Sequence, residues 1–417
     1  MTSASTTTHR THRAGTLQGA LLLAGSCMPV LGSVLITPVL PQLSQHFAST
    51  PGSEVLVPMI VALPALFIAL MAPFAGQIVD RVGRKALLIV AMVAYALVGT
   101  APAWMDGLAE ILATRVLVGI CEAAIMTVCT ALIVDYFHDQ RRNRYLAAQT
   151  VATTLAATVF IAVGGALGGG GWHTPFWVYA ISLVIAVPMI FVLWEPRSAA
   201  GARAVESSVR VPIPWRRIGG RLLVSVFAGF TFYVIVIEVS YLVVGSGVAP
   251  TDTAVIGAVA AGASLATAVG GILFARLARR FDLRLIPVAF ALQAAGMIVI
   301  WVVPTLAGLV VGAVVASFGS GLLLPSMLRW VVATTSFAER GRVTGLWTAA
   351  FFFGQFLTPV LIGALAAAVG ALPMAVGIVG VAAAVAATVT ALALRGVRAD
   401  ATDEALVPQG TAREAAR

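Results

Sequence analysis

Long apolar stretches separated by short polar segments recur along the whole chain. Each stretch is close to the 20 or so residues that an α-helix needs to cross the hydrocarbon core of a bilayer. None shows the strict alternation of apolar and polar residues that is typical of a half-buried strand. The sequence therefore predicts twelve transmembrane helices. Their approximate ranges are 16–40, 54–78, 86–104, 109–136, 146–170, 175–194, 219–244, 253–275, 285–304, 307–334, 343–369 and 372–394.

Composition favours lipid as the solvent of these helices. Hydrophobic residues make up 60% of the 417 residues and charged residues 10%, against roughly 45–50% and about 25% in soluble domains. The net charge of +9 raises the question of nucleic acid as a partner. The basic residues lie in short gaps between apolar stretches and form no continuous basic face, so nucleic acid is not an expected partner.

The positions of the basic residues predict how the chain is oriented. If the N-terminus is cytoplasmic, every Lys and Arg except Arg115 and Arg329 falls in a tail, in a loop or at the end of a helix on the cytoplasmic side. This asymmetry follows the positive-inside rule. We therefore expect a multi-pass protein of a cell (plasma) membrane with both termini in the cytoplasm. The high ratio of Arg to Lys favours a bacterial source.

A polar segment near the midpoint, residues 195–217, divides the predicted helices into two sets of six. The loop that begins at Val79 is similar to the loop that begins at Leu277, and FHDQRRNR from Phe137 is similar to FAERGR from Phe337. Such an internal repeat predicts two parallel six-helix halves. The predicted boundaries are a cytoplasmic N-tail at 1–15, an N-terminal bundle at 16–194, a cytoplasmic linker at 195–217, a C-terminal bundle at 218–395 and a cytoplasmic C-tail at 396–417.

The loop after the second predicted helix reads GQIVDRVGRK, Gly76 to Lys85. In wording and position it resembles the signature loop of the major facilitator superfamily, GxxxDRxGRK. The resemblance implies an all-α membrane protein with two six-helix bundles related by a pseudo-two-fold axis. It also implies a secondary transporter, not an enzyme, that needs no cofactor and works as a monomer. Its partners would be a small-molecule substrate, protons and the lipid bilayer.

Two further stretches resemble the drug:proton antiporter branch of that family. They are RVLVGICEA from Arg115 and ITPVLPQLSQHF from Ile36. The hallmark of the fifth helix in that branch is matched only in part by FIAVGGALGG from Phe160. The resemblance favours proton-coupled export of an amphiphilic or drug-like molecule. Proton-coupled uptake of a small organic anion stays open, and no nucleotide-binding or hydrolytic motif supports an ATP-driven pump or a membrane enzyme.

Ionisable residues inside predicted helices are the best candidates for function, because each costs about 2.5–3.5 kcal/mol at the centre of a helix on insertion scales. Glu122 lies near the middle of the fourth helix, and Arg115 precedes it by about two turns on the same face. We expect Glu122 to carry a proton and Arg115 to tune it, with a purely structural role as the alternative. Glu238 in the seventh helix is a second candidate for proton coupling.

Other residues are candidates for two separate roles. The loop after the second helix is expected to act as a conformational latch, which the family resemblance implies for Asp80. The latch residues are Gly76, Asp80, Arg81, Gly83, Arg84, Lys85 and Asp135. The second role is to line a substrate cavity, where Arg329 would bind an anion unless it reaches toward the interface instead. The cavity candidates are Tyr233, Tyr241, Arg329, Trp347, Phe351 and Gln355.

Overall fold

The computed structural model describes residues 14–75, 83–196, 213, 215–333, 335 and 339–406, and within these it contains helices and no strand. Eleven segments are long and apolar enough to cross a membrane, and one of them, Thr253–Val302, contains two successive helices. The described chain thus has twelve membrane-spanning helices, which confirms the predicted fold class. They are α1 (Thr16–His46), α2 (Ser53–Met71), α3 (Arg84–Trp104), α4 (Leu108–Tyr136), α5 (Asp139–Gly168), α6 (Thr174–Val192), α7 (Trp215–Gly245), α8 (Thr253–Phe281), α9 (Leu285–Val302), α10 (Leu306–Val332), α11 (Arg340–Val369) and α12 (Leu372–Leu406).

Six helices differ from their predicted bounds by four residues or more, among them α2, which ends at Met71 instead of 78, α5, which begins at Asp139 instead of 146, and α8, which ends at Phe281 instead of 275. The helix α1 extends to His46, where the sequence predicted an end at 40, and α7 begins at Trp215, inside the predicted linker 195–217. The helix α12 extends to Leu406, where the sequence predicted an end at 394, and its last turns consist of more polar residues. Residues 197–212 and 214 of the predicted linker lie outside the described residues.

Helix α1 is broken into four pieces. They are Thr16–Ser26, Met28–Val34, a 3₁₀ turn at Thr37–Val39 and Leu40–His46. Each of the last three pieces has a proline in its first turn, where the missing N–H group is tolerated. A break inside a membrane frees backbone carbonyl groups, which then need donors from neighbouring helices.

The two six-helix bundles meet along two pairs of helices. Helix α2 packs against α11, and α5 packs against α8. Helices α2 and α5 of the first bundle correspond to α8 and α11 of the second. A rotation that exchanges the bundles therefore places the α2–α11 pair on the α5–α8 pair, as a pseudo-two-fold axis requires. Each bundle therefore contributes one helix of each pair, and relative motion of the bundles must act on both contacts.

The interface is closed at the end that lies away from the termini. Here Gly165 of α5 and Gly257 of α8 bring their backbones together, and the Thr253 hydroxyl donates to the Gly165 carbonyl at 2.8 Å. The hydroxyl groups of Ser44 and Tyr241 lie 3.0 Å apart across the same end. Nearer the termini, α5 has no buried residue between positions 139 and 160. Helices α5 and α8 thus close the interface at the far end, while at the end near the termini α11 approaches α2 at Gly345 and Ala72.

We predict that Gly257→Ala destabilises this closed end. A Cβ atom at Gly257 would lie 2.7 Å from the Gly165 Cα atom, so two backbones must separate. The expected destabilisation is about 1–3 kcal/mol, as for other over-packed contacts, and thermal unfolding followed by tryptophan fluorescence measures it. The control is Gly262→Ala in the same helix, where an added Cβ atom meets nothing within 4 Å. Equal melting temperatures for the two variants would contradict the prediction.

Candidate functional site

Arg115 is fully buried in α4, and four neighbours surround its guanidinium group. One terminal nitrogen donates to the Tyr179 hydroxyl at 3.0 Å, and the other to the carbonyl groups of Val98 and Gly99 at 3.3 Å each. The Nε atom donates to the Thr114 hydroxyl at 3.2 Å, and the guanidinium carbon lies 5.2 Å from the Tyr179 ring centre. Hydrogen bonds that Arg115 donates to uncharged acceptors on α3, α4 and α6 thus hold this charge inside the N-terminal bundle.

Glu122 lies on the same helix with no exposed surface. Among the described residues, neither of its carboxyl oxygens has a hydrogen-bond partner, and no ion pair joins it to Arg115. The carboxyl group lies against Gly32 of α1, at a place where a Cβ atom would collide with it. Only glycine at position 32 leaves room for this side chain. Arg115 and Glu122 are close enough to interact electrostatically. They contact different groups, however, because Arg115 bonds to α3 and α6 whereas Glu122 lies against α1.

Two tyrosines from the N-terminal bundle surround Glu122, and the sequence analysis missed both. The Tyr95 hydroxyl donates to the Met28 carbonyl at 2.6 Å, and the Tyr179 hydroxyl is 3.5 Å from the Gly32 carbonyl. Their rings lie 5.2 Å apart. The chain has only six tyrosines, and a hydroxyl inside a membrane helix needs a partner. Tyrosines inside apolar helices were thus the signal in the sequence that could have predicted a polar centre.

Tyr233 completes this ring of hydroxyl groups from the other bundle. It belongs to α7, and only 2% of its surface is exposed. Its hydroxyl lies 3.0 Å from the Ser33 carbonyl of α1 and 3.3 Å from the Val61 carbonyl of α2. Its acceptor Ser33 follows Gly32, the residue that the Glu122 carboxyl group contacts. The predicted cavity residue Tyr233 therefore joins the two bundles beside the predicted proton carrier.

Glu238 and Tyr241 lie farther along α7, toward the closed end. Glu238 is 5% exposed, and Tyr241 is near enough to interact with it electrostatically. The Tyr241 hydroxyl meets Ser44 of α1 at 3.0 Å. This places the second acid directly behind a contact that closes the interface, and away from the ring of hydroxyl groups around Glu122.

The aromatic candidates of α11 form a separate cluster in the C-terminal bundle. The rings of Trp347 and Phe351 stack at 5.7 Å, and Phe232 of α7 lies 5.6 Å from Phe351. Within the described residues the buried indole N–H of Trp347 has no hydrogen-bond acceptor. Gln355, one turn beyond Phe351, is 6% exposed. The cluster is therefore buried and mostly apolar, and the indole N–H of Trp347 is its one donor without an acceptor in the described residues.

The sequence analysis left two alternatives for Arg329, an anion-binding group in a substrate cavity or a side chain that reaches toward the interface. The side chain is 51% exposed and pairs with the equally exposed Asp282 at 2.7 Å, which favours the second alternative. Because Asp282 follows the end of α8 on the side of the termini, Arg329 extends out of α10 to that surface.

The latch candidates fall into two groups. Gly76, Asp80 and Arg81 lie outside the described residues. Arg84 forms an ion pair with Asp135 at the end of α4, and the backbone N–H groups of Arg84 and Lys85 donate to the Glu195 carboxylate at 2.7 and 2.8 Å. Gly83 precedes them with a positive φ of 89°, a conformation that glycine adopts readily. The start of α3 is therefore held by the ends of α4 and α6.

The architecture defines a polytopic helical protein with paired bundles, a discontinuous first helix and a buried polar centre, which is the design of secondary transporters. A family model described as Major Facilitator Superfamily matches residues 21–249 and 221–415. The chain belongs to the major facilitator superfamily, as its signature loop indicated. It is a multi-pass membrane protein of a family of transporters for small molecules.

Individual relatives match over part of their length. Multidrug resistance protein 2 of Bacillus subtilis is 30% identical over 182 residues, which are 43% of this chain and 44% of that protein. The chain thus spans less than half the length of this curated relative.

Two solved structures match the fold over nearly the whole chain. A bacterial homolog of the human lysosomal transporter Spinster, inward-facing and occupied, has a TM-score of 0.73 at 17% identity and covers 91% of this chain and 97% of its own. The human organic anion transporter MFSD10 (TETRAN) has a TM-score of 0.66 at 17% identity, with 91% and 100% covered. At such identities these two structures support the fold alone.

We predict that Arg115→Lys destabilises the protein although the charge is kept. Lysine cannot reach Tyr179 and the two α3 carbonyl groups at once, and each lost bond to a charged group contributes about 1.5–3 kcal/mol. The expected result is a clearly lower melting temperature in detergent. Arg329→Lys is the matched control, since an exposed ion pair contributes at most about 1 kcal/mol. A melting temperature equal to that of the control would contradict this interpretation of Arg115.

Proposed function

We propose that this protein is a proton-coupled exporter of a small amphiphilic or drug-like molecule, which works by alternating access in a plasma membrane with both termini in the cytoplasm. The observation that carries the proposal is the state of Glu122. It is a fully buried carboxyl group at the meeting point of both bundles, with no hydrogen-bond partner in the described structure.

Proton coupling follows from what such a group can tolerate. A buried carboxylate without donors costs several kcal/mol, whereas the neutral acid costs far less. Glu122 is therefore expected to be protonated when the centre is closed and to release its proton when water reaches it. Arg115 is already satisfied by other acceptors, so its positive charge acts on Glu122 from a distance instead of neutralising it in an ion pair.

Export of an amphiphilic molecule is supported by two observations of different kinds. One relative is named a multidrug resistance protein. In addition, α11 carries the stacked rings of Trp347 and Phe351 and, one turn further on, Gln355, three buried residues that form a mostly apolar cluster. We assign this cluster to the substrate site, which must open to receive a ligand, because mostly apolar sites suit ligands that are largely apolar.

The latch and the division of the chain are part of the same proposal. Arg84, Asp135 and Glu195 hold the ends of three helices of the N-terminal bundle together. Movement of α3 is then transmitted to α4, which carries Glu122. We assign Gly76, Asp80 and Arg81 to the same latch on the family resemblance, and we place the boundary between the bundles at the segment 195–217.

Uptake of a small organic anion is the second candidate. The observation that favours it is Arg115, a fully buried cation that could attract an anion. Against it, the donors of Arg115 are already directed at Tyr179 and at the carbonyl groups of Val98 and Gly99. An anion would have to displace these acceptors.

We predict that Glu122→Gln abolishes substrate-driven proton movement. In inside-out vesicles with an acid interior, an exported lipophilic cation should collapse the pH gradient of the wild type, as reported by a pH-sensitive dye, and should leave that of the variant intact. The amide keeps the volume but carries no exchangeable acid proton. The matched control is Glu110→Gln, an exposed acid on the same helix, which should behave as wild type.

Two outcomes would contradict the proposal. Retention of the full response in Glu122→Gln would show that another group carries the proton, and Glu238→Gln would then be measured in the same way. Proton-dependent accumulation of an organic anion in right-side-out vesicles, with no response to any lipophilic cation, would establish the uptake function instead.

A further inference from the structure

Three tyrosine hydroxyl groups converge on the broken first helix around Glu122. Those of Tyr95 and Tyr179 lie next to carbonyl groups of α1 and come from the same bundle as Glu122. The Tyr233 hydroxyl comes from the opposite bundle and lies next to carbonyl groups of both α1 and α2. Within the part of the chain that the structure describes, no group donates a hydrogen bond to the acid between them.

A hydroxyl group has one proton to donate, so each tyrosine faces a choice of acceptor. While Glu122 is neutral, the backbone carbonyl groups of α1 are good acceptors for these protons. Once Glu122 is ionised, its carboxylate becomes the stronger acceptor, because a charge-assisted hydrogen bond is roughly twice as strong as a neutral one. A tyrosine that turns to the carboxylate must leave its carbonyl group.

We propose that Tyr233 is the positioning residue through which the protonation state of Glu122 controls contact between the two bundles. With Glu122 protonated, Tyr233 donates to the Ser33 and Val61 carbonyl groups and ties α7 to α1 and α2. With Glu122 ionised, the hydroxyl turns to the carboxylate and the tie across the interface is released. The inference rests on the proposed role of Glu122.

The position of Tyr233 distinguishes it from the other two tyrosines. If Tyr95 or Tyr179 changes its acceptor, contacts change within one bundle only. A change at Tyr233 removes a contact between the bundles, on the same helix that carries the Tyr241–Ser44 contact of the closed end. The titratable and charged groups that face Glu122 are Arg115 and Cys121 on its own helix, Tyr95 on α3, Tyr179 on α6 and Tyr233 on α7.

These contacts determine in which direction pH changes the closed end. Low pH protonates Glu122, keeps the Tyr233 tie and favours the closed end seen in the structure. High pH ionises Glu122, removes the tie and favours opening of that end. An antiporter that takes protons from outside needs this order, because proton binding must close the outer side.

Distance measurements between spin labels test the inference. Labels at Gln45→Cys and Thr251→Cys flank the closed end, one on each bundle, and both positions are exposed. The free cysteines at 27, 121 and 129 are first replaced by Ala, and the background must retain its transport response. In this background we expect the long-distance population to grow with rising pH. Glu122→Gln should stay closed at every pH.

Tyr233→Phe removes only the hydroxyl group. We expect it to lose most of the pH-dependent shift and to show a larger long-distance population at low pH. Tyr95→Phe is the matched control, since it removes a hydroxyl that bonds α1 within one bundle and should keep the wild-type shift. A wild-type pH profile for Tyr233→Phe overturns the inference. A wild-type profile for Glu122→Gln overturns the proposed function instead, so the two failures are distinguishable.

A second measurement needs no substitution of Tyr233. Infrared difference spectra between low and high pH report the hydrogen bonding of tyrosine through its C–O stretching band. The band should shift with pH in the wild type and in Tyr95→Phe, and should not shift in Glu122→Gln. A wild-type spectrum without any tyrosine band change overturns the inference even if the Phe variant fails to fold.

Discussion

The backbone carbonyl groups freed by the break in α1 are the constraint on which the centre of this protein depends. In lipid, no water satisfies a carbonyl group that a helix leaves unpaired. The Gly32 and Ser33 carbonyl groups lie one turn before the break at Leu35–Ile36 in α1, and they meet the hydroxyl groups of Tyr179 and Tyr233. Tyr95 donates to the Met28 carbonyl of the same helix. A polar centre thereby forms where composition alone would give an apolar core.

The same demand explains why the two buried charges of α4 differ. Arg115 has five donor protons and finds four oxygen acceptors around it, so it can remain charged in every conformation that keeps α3 and α6 in place. An ionised Glu122 has no proton to donate and can act only as an acceptor. The nearby hydroxyl protons, however, are already directed at carbonyl groups of α1. Arg115 thus stays positively charged, whereas the charge of Glu122 depends on whether water reaches it. In the proposed proton coupling, Glu122 binds and releases the proton while the charge of Arg115 stays constant.

The sequence predicted those properties that follow from apolarity and charge. The span count, the two bundles and the depth of Glu122 and Arg115 required only helix length and the cost of ionisable groups in lipid. The partners of Arg115 were not predictable, because Tyr179 and the α3 carbonyl groups come from distant parts of the chain. The sequence left two alternatives for Arg329 for the same reason, because its acceptor, Asp282, lies beyond the end of another helix.

The close glycine contact and the hydroxyl tie set two different kinds of limit on motion. Gly165 and Gly257 let α5 and α8 approach until their backbones touch, and this contact carries no charge and does not respond to pH. Tyr233 contributes a single hydrogen-bonding group across the interface, and its acceptors depend on a titratable neighbour. A contact that is close but insensitive to pH can stabilise the closed state, whereas the hydroxyl tie makes that state depend on the protonation of Glu122. The glycine contact therefore sets how closely the bundles approach, and the hydroxyl tie sets at which pH they do so.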